Sequence, residues 1–190
     1  MISKIIEHLL HYISLSSDEI TAISESIPIQ SFSKGSILLK EGEVSKHAYF
    51  NIKGCVRLYY LIDGEEKTTF FYTENQFITS IKSFTNRVPA HHFLECVEDC
   101  TLGVLSYEAE IYLLKKFPKF EYLSRILLEE ELGHYQDMLS TYITTKPEDR
   151  YKKLLKLNPQ LLQRIPQYQL ATFLGVTPES LSRIRKRIIQ

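Results

Sequence analysis

The 190-residue sequence has no apolar run close to the roughly 20 residues that span a bilayer, which argues against a membrane-crossing helix. Its N-terminus, MISKIIEHLLHYISLS, carries charges and histidines inside the apolar pattern and shows no small-residue cleavage site. It therefore reads as part of the fold rather than as a secretory signal, and a cytoplasmic protein is expected. Cysteine is scarce: Cys55, Cys96 and Cys100 make no even framework and no CxxC pair, so buried thiols are expected rather than a disulfide or a metal site. No Ser-His-Asp grouping, phosphate-cradling loop or paired-carboxylate site stands out, so neither an enzyme nor a cofactor is expected.

Net charge is also missing, but only from the total. Residues 146–190 hold ten Lys or Arg against three Asp or Glu, which leaves 13 basic and 20 acidic groups in residues 1–145. A basic end on an acidic body suits contact with a polyanion such as double-stranded DNA, with the body repelled and the binding salt-dependent.

The basic end contains QYQLATFLGVTPESLSRIRKRI, Gln167 to Ile188. Read as helix, tight turn and helix, it places Leu170, Leu174 and Val176 inward on the first segment and Leu181 and Ile184 inward on the second, around one apolar core. Ala171 is small where the helices cross. Gly175 falls where the first helix must end in a left-handed conformation, Thr177 caps the second helix, and Pro178 and Glu179 open it. Such a helix-turn-helix lays its second helix in the major groove, and the outward residues Glu179, Ser180, Ser182, Arg183, Lys186 and Arg187 are groups that read base edges or phosphates.

Upstream, the first 27 residues hold two short helical patterns, the second opened by Ser16 or Ser17. From Ile29 to Ser106, short runs rich in β-branched and aromatic residues alternate with turn signals at Lys34-Gly35, Glu41-Gly42, Lys53-Gly54 and Asp63-Gly64. These runs predict antiparallel strands closing into a compact roll. A helix is expected over Tyr107–Phe117 and is broken by Pro118. The longest helical pattern follows, about Lys119 to Thr144. In it Leu128, Leu132, Tyr135, Leu139 and Tyr142 recur at spacings of four and three, the seam of a coiled coil and hence of a parallel homodimer. Lys146-Pro147 ends this helix, and a further helix at about Glu148–Lys156 leads into the helix-turn-helix.

An N-terminal β-roll with KG, EG and KG turns, a long dimer helix and a C-terminal helix-turn-helix together resemble the Crp/Fnr family of bacterial transcription regulators. IKGCVRLYYLIDGEE and GVTPESLSRIRKRI are the most specific pieces. The resemblance implies an α+β chain in three parts: a sensor roll with flanking helices over 1–118, an antiparallel double-stranded β-roll or jelly roll; a dimerisation helix over 119–145; and a DNA-binding domain over 146–190. It also implies a homodimer on a palindromic operator, acting through contact with RNA polymerase. Glu179, Ser182 and Arg183 stand in the family's Glu-x-x-Ser-Arg pattern, which reads TGA. Pro178 takes the place of a base-reading arginine of the cyclic-AMP receptor branch, so TTGA-like half-sites are implied. The sequence stops two residues after Ile188, so phosphate contacts made by later strands in longer relatives are expected instead from Thr177 and from Gln167, Tyr168 and Gln169 at the start of the first helix.

Departures from the family pattern narrow the sensor's chemistry. Cyclic-nucleotide binders pair a Gly-Glu with a later Arg-Ser or Arg-Thr, supplying a carboxylate for the ribose and a cation for the phosphate. Here the matching places hold Thr79-Ser80 and, within a residue or two, Ala90-His91, and Arg87 lies in the intervening loop. Tight cyclic-AMP binding is not expected, and the effector stays unnamed. The cysteines do not match the four of an iron-sulfur branch. A metal-dependent enzyme of the cupin type is the alternative for a small barrel with histidines, but HHFLE lacks the His-x-His spacing, and adjacent His91 and His92 point to opposite faces of a regular strand. A third reading keeps the roll as a scaffold whose sensor is lost.

Overall fold

The computed structural model describes the backbone of residues 1–189 and the side chains of residues 1–188. Two helices open the chain, α1 (Ile2–Leu10) and α2 (Ser17–Ser26). The second starts in a capping box. The Ser16 hydroxyl accepts from the Glu19 amide at 3.3 Å, and the Glu19 carboxylate accepts from the Ser16 amide at 2.7 Å.

The roll follows as β1 (Ile29–Phe32), β2 (Ile37–Leu39), β3 (His47–Lys53), β4 (Val56–Ile62), β5 (Glu65–Tyr72), β6 (Phe77–Ile78), a helical turn α3 (Ile81–Asn86), β7 (Phe93–Cys96) and β8 (Cys100–Ser106). Two four-stranded sheets form, in the orders β1-β8-β3-β6 and β2-β7-β4-β5, and every registered pair is antiparallel. The double-stranded β-roll expected from the sequence is therefore present. Two local expectations are corrected. The span from Ile29 to Ser106 is not all strand, because Ile81–Asn86 coils into α3, buries Ser83 and Phe84, and ends at Arg87 in the left-handed region (φ 55°). His91 and His92 precede β7 rather than sit in it, so strand alternation does not decide where they point.

Both sheets are covered on both faces. Between them, Val56, Leu58, Tyr72, Leu94 and Leu102 form the interior core. Outside the first sheet, Phe50 and Ile52 pack against Ile5, Leu9, Ile23 and Leu113, from α1, α2 and α4 (Tyr107–Lys116). Outside the second sheet, Cys55, Phe71 and Val97 pack against residues from the C-terminal third of the chain. This is why HAYFNIKGCVRLYY reads as a near-continuous apolar run: a strand buried on both faces has no side to leave polar. Gly54, in the β3–β4 turn, is held at φ 110° against β8, where a Cβ would come within 2.6 Å of Cys100 Sγ. The Cys55 thiol is pushed up to about 12 by burial, and all three cysteines are buried and free.

The long helix α5 (Lys119–Thr144) is anchored to the second core by Phe120 and Leu123 near its start. After Thr145 and Lys146 come α6 (Pro147–Leu157), α7 (Leu161–Arg164), α8 (Gln167–Phe173) and α9 (Pro178–Ile189). α7 is a short helix that the Asn158-Pro159 and Arg164-Ile165-Pro166 punctuation concealed. No helix among the described residues is long and apolar enough to cross a membrane.

Candidate nucleic-acid interface

Leu170 of α8, Leu174 at its C-cap, and Leu181 and Ile184 of α9 are all at most 5% exposed, and Ala171 of α8 is fully buried. The joint between the helices is a Schellman turn: the Val176 amide donates to Ala171 O at 2.9 Å and the Gly175 amide to Thr172 O at 3.0 Å. Gly175 is left-handed at φ 71°. The Ser180 amide then donates to the Thr177 hydroxyl at 3.3 Å, which caps α9. Two packed helices joined by a capped turn are therefore in place, built by the residues expected to encode them.

With Leu181 and Ile184 turned in, Glu179, Ser182, Arg183, Lys186 and Arg187 are exposed on α9, as are Gln167, Tyr168 and Thr177 beside it, while Ser180 is half-buried. The Glu179 carboxyl is held below its ordinary value, first by its own backbone amide at the helix start, then by Thr177 and by Arg183 one turn on. Arg187 reaches back to Glu148 of α6 at 3.1 Å. Gln169 does not join this surface. It is 3% exposed, its Nε2 donates to the Tyr168 hydroxyl at 3.1 Å, and its Oε1 has no partner among the described residues. Its place one turn from Phe173 on the inner side of α8 puts it in the core rather than beside a phosphate.

Along α5, Leu128, Leu132, Leu139 and Tyr142 are between 50% and 59% exposed, and Ile143, not among the expected seam residues, is 72% exposed. Tyr135 turns the other way. Its hydroxyl lies 3.0 Å from that of Tyr72 and its ring packs 5.5 Å from Phe70 on the roll. A straight helix advances about 100° per residue, so a strict seven-residue repeat drifts by about 20° per heptad. The drift carries Tyr135 and Tyr142 toward the roll side and brings Ile143 into the outward stripe. Tyr142 accordingly meets α6: the Arg150 guanidinium lies 4.4 Å over its ring, and the same arginine donates to Tyr142 O, Thr145 O and Leu174 O.

In the roll, the Tyr72–Tyr135 contact and Phe70 fill the space between the sheet and α5. His92 rests edge-on against Tyr60, burial lowers its pKa, and its Nε2 has no partner among the described residues. Arg87, the one cation between Ser80 and His91 apart from Lys82, donates to Ser45 O at 2.6 Å and lies 4.4 Å over the Tyr107 ring. Sequence reasoning gave no hint of this stacking, because Tyr107 lies on a different element. Among the described residues, no three His, Cys, Asp or Glu side chains converge as metal ligands would.

Comparison with known proteins gives the architecture its relatives. Residues 29–117 match the cyclic nucleotide-binding domain. No curated protein matches the sequence. Solved structures do match. The c-di-GMP-responsive global regulator CLP of Xanthomonas campestris is 17% identical over 91% of each chain, with a TM-score of 0.72. FixK2 from Bradyrhizobium japonicum is 17% identical over 85% of this chain and 84% of its own, also at 0.72. The catabolite activator protein of Thermus thermophilus is 21% identical over 96% and 86%, at 0.58. At such identities the likeness is one of fold. Residues 29–117 thus match the cyclic nucleotide-binding domain, and they stand in a chain whose fold is that of these Crp/Fnr-type regulators.

Proposed function

We propose that the chain is a sequence-specific transcription regulator, not an enzyme. It acts as a homodimer through the outward stripe of α5 and reads a palindromic operator with α9, then regulates through RNA polymerase. The observation that carries this reading is the capped, tightly packed α9, with Leu181 and Ile184 inside and Glu179, Ser182 and Arg183 outside. Arginine forks onto guanine and a carboxylate accepts from the cytosine amino group, which suits a TTGA-like half-site. Thr177, Gln167 and Tyr168, exposed beside α9, are the groups assigned to phosphates, and Lys186 and Arg187 add cations. Selection from random duplex DNA, with no added ligand, should yield a palindrome with such halves; recovery of no symmetric site, with or without cell extract, would sink the reading.

The roll reads as a sensor that does not take cyclic AMP. Thr79-Ser80 supplies no carboxylate, Arg87 is engaged by Ser45 and Tyr107, and Tyr72 and Tyr135 close the space beside α5. Calorimetry should show no micromolar binding of cyclic AMP. Heat of binding at that affinity would refute the assignment.

A further inference from the structure

The helix-turn-helix does not hang from the end of α5; it is seated on the roll. Phe173 of α8 packs edge-on against Phe71 of β5, with ring centroids 5.2 Å apart, and the Thr68 amide of β5 donates to the Thr172 hydroxyl at 3.2 Å. Beyond α8, Arg164 of α7 grips two carboxylates of the roll. Its Nη1 and Nη2 fork onto Glu74 at 3.0 and 2.7 Å, and its Nε donates to Glu98 at 3.0 Å. Glu74 is itself fixed, because its Oε1 accepts from the Gly54 amide at 2.9 Å. Burial alone would raise the Glu74 pKa, but the Arg164 fork and the Gly54 amide bring it below its ordinary value. The three groups are between 24% and 34% exposed, at the edge of the buried core shared by the roll and the C-terminal helices.

From this geometry we infer that Arg164, clasped by Glu74 and Glu98, is a positioning residue for DNA reading: it locks the recognition helix to the roll and so fixes the spacing between the two half-sites. The inference rests on the dimeric DNA-binding reading above. Arg164 touches no base. Its effect runs through rigidity: only Thr145 and Lys146 separate α5 from α6, and without the clasp the head is held to the roll by the apolar packing and the Thr68–Thr172 hydrogen bond alone, which leaves that joint freer to swing. α6 has 11 residues and spans about 16 Å, so a swing of about 20° at the joint displaces the head by roughly 5–6 Å. That distance is about one and a half base-pair steps of 3.4 Å along the duplex. A seated head therefore selects one spacing, and a released head accepts neighbouring ones.

The test leaves every α9 side chain untouched. Random duplex selections are run on the full chain and on the variants Glu98→Gln and Glu74→Gln/Glu98→Gln, with hydrogen exchange followed at the Thr68 amide. Changing the roll side of the clasp keeps Arg164 available to DNA, which separates positioning from a phosphate contact. The full chain should return a single half-site spacing. The variants should keep the half-site sequence, spread the spacing by at least one base pair, and exchange the Thr68 amide ten-fold faster or more. Unchanged spacing with unchanged exchange would overturn the inference while leaving the DNA-binding reading intact. Failure of the full chain to select any palindrome would overturn both. If the double variant does not fold, Glu98→Gln alone, at the exposed edge, decides by the same two measures.

Discussion

Replacing Gly175 by alanine should destabilise the chain by about 2 kcal/mol, more than half of it through the backbone: a left-handed L-residue costs about 1–2 kcal/mol, and Gly175 sits at φ 71°. The rest comes from a neighbour. An added Cβ would lie 2.4 Å from the Tyr142 hydroxyl and 3.1 Å from Cζ, so the ring must shift off the Arg150 guanidinium it now faces at 4.4 Å. Loss of an exposed cation–π contact is worth about 0.5–1 kcal/mol. Urea denaturation measures the sum, and for a chain of this size the midpoint of thermal unfolding should fall by about 4–8 °C. Two companion variants separate the contributions. Gly175→Asn tolerates the left-handed conformation but brings the same Cβ against Tyr142, so it should cost less than alanine by the backbone part alone. Gly175→Ala in a Tyr142→Phe background removes the hydroxyl in the way, so the double-mutant cycle should show a favourable coupling between the two sites. A Gly175→Ala change within about 0.5 kcal/mol of the parent, the range of an ordinary surface substitution, would refute the account of this turn.

Arg183→Ala and Glu179→Ala should each cost about 1–3 kcal/mol of discrimination at one base pair of the half-site, while Lys186→Ala should weaken all duplexes alike; competition binding against single-base variants of the selected site reads the difference. Leu132→Glu, at a position 58% exposed on α5, should convert the dimer to a monomer in sedimentation velocity; an unchanged sedimentation coefficient would mean that α5 does not carry the interface. The Glu19 carboxyl is held below its ordinary value of 4.5, first by Lys119 and then by the Ser16 amide and hydroxyl. Its contribution to stability is therefore complete above about pH 4.5 and is lost as pH falls through the lower folded value. Glu19→Gln should flatten that acid limb of the denaturation profile and leave the neutral region's slope unchanged.

The α8–turn–α9 unit was legible because each of its residues is demanded by local stereochemistry: Gly175 by its φ, Thr177 by the amide it caps, Leu181 and Ile184 by their spacing. The start of α2, left between Ser16 and Ser17, the extent of α4 and the ends of α5 were legible for the same reason. The roll was legible from its turn signals and β-rich runs, though α3 was not, since six helical residues among strands carry too little periodicity to announce themselves. Tyr135 was placed on the seam by a repeat that a straight helix does not keep, and a tyrosine hydroxyl finds its partner, here Tyr72, only in three dimensions. Gln169 looked like a phosphate ligand because glutamine is polar, yet α8 is packed on two sides, against α9 and against β5, which leaves no outer face at that position.

That second packing surface bears on how such a chain works. Along β4, Val56 and Leu58 face the roll interior, while Arg57 and, just before the strand, Cys55 lie on the outward side, and Arg57 is only 2% exposed. The guanidinium is held by Glu95 and Glu66, by the Thr68 hydroxyl at 3.4 Å, and by the Tyr59 ring at 4.1 Å, so the outward row is polar and paired at one place and apolar at Cys55 and Phe71. An apolar patch of this kind would be a liability on a free roll, and it is covered by the helices that position α9. Thr68 then joins the two halves directly, with its side chain on Arg57 and its amide on Thr172. The β4–β5 hairpin therefore touches α8 without passing through α5, and the roll meets the later helices at two places, one the Tyr72–Tyr135 contact with α5, the other the sheet on which α8 packs.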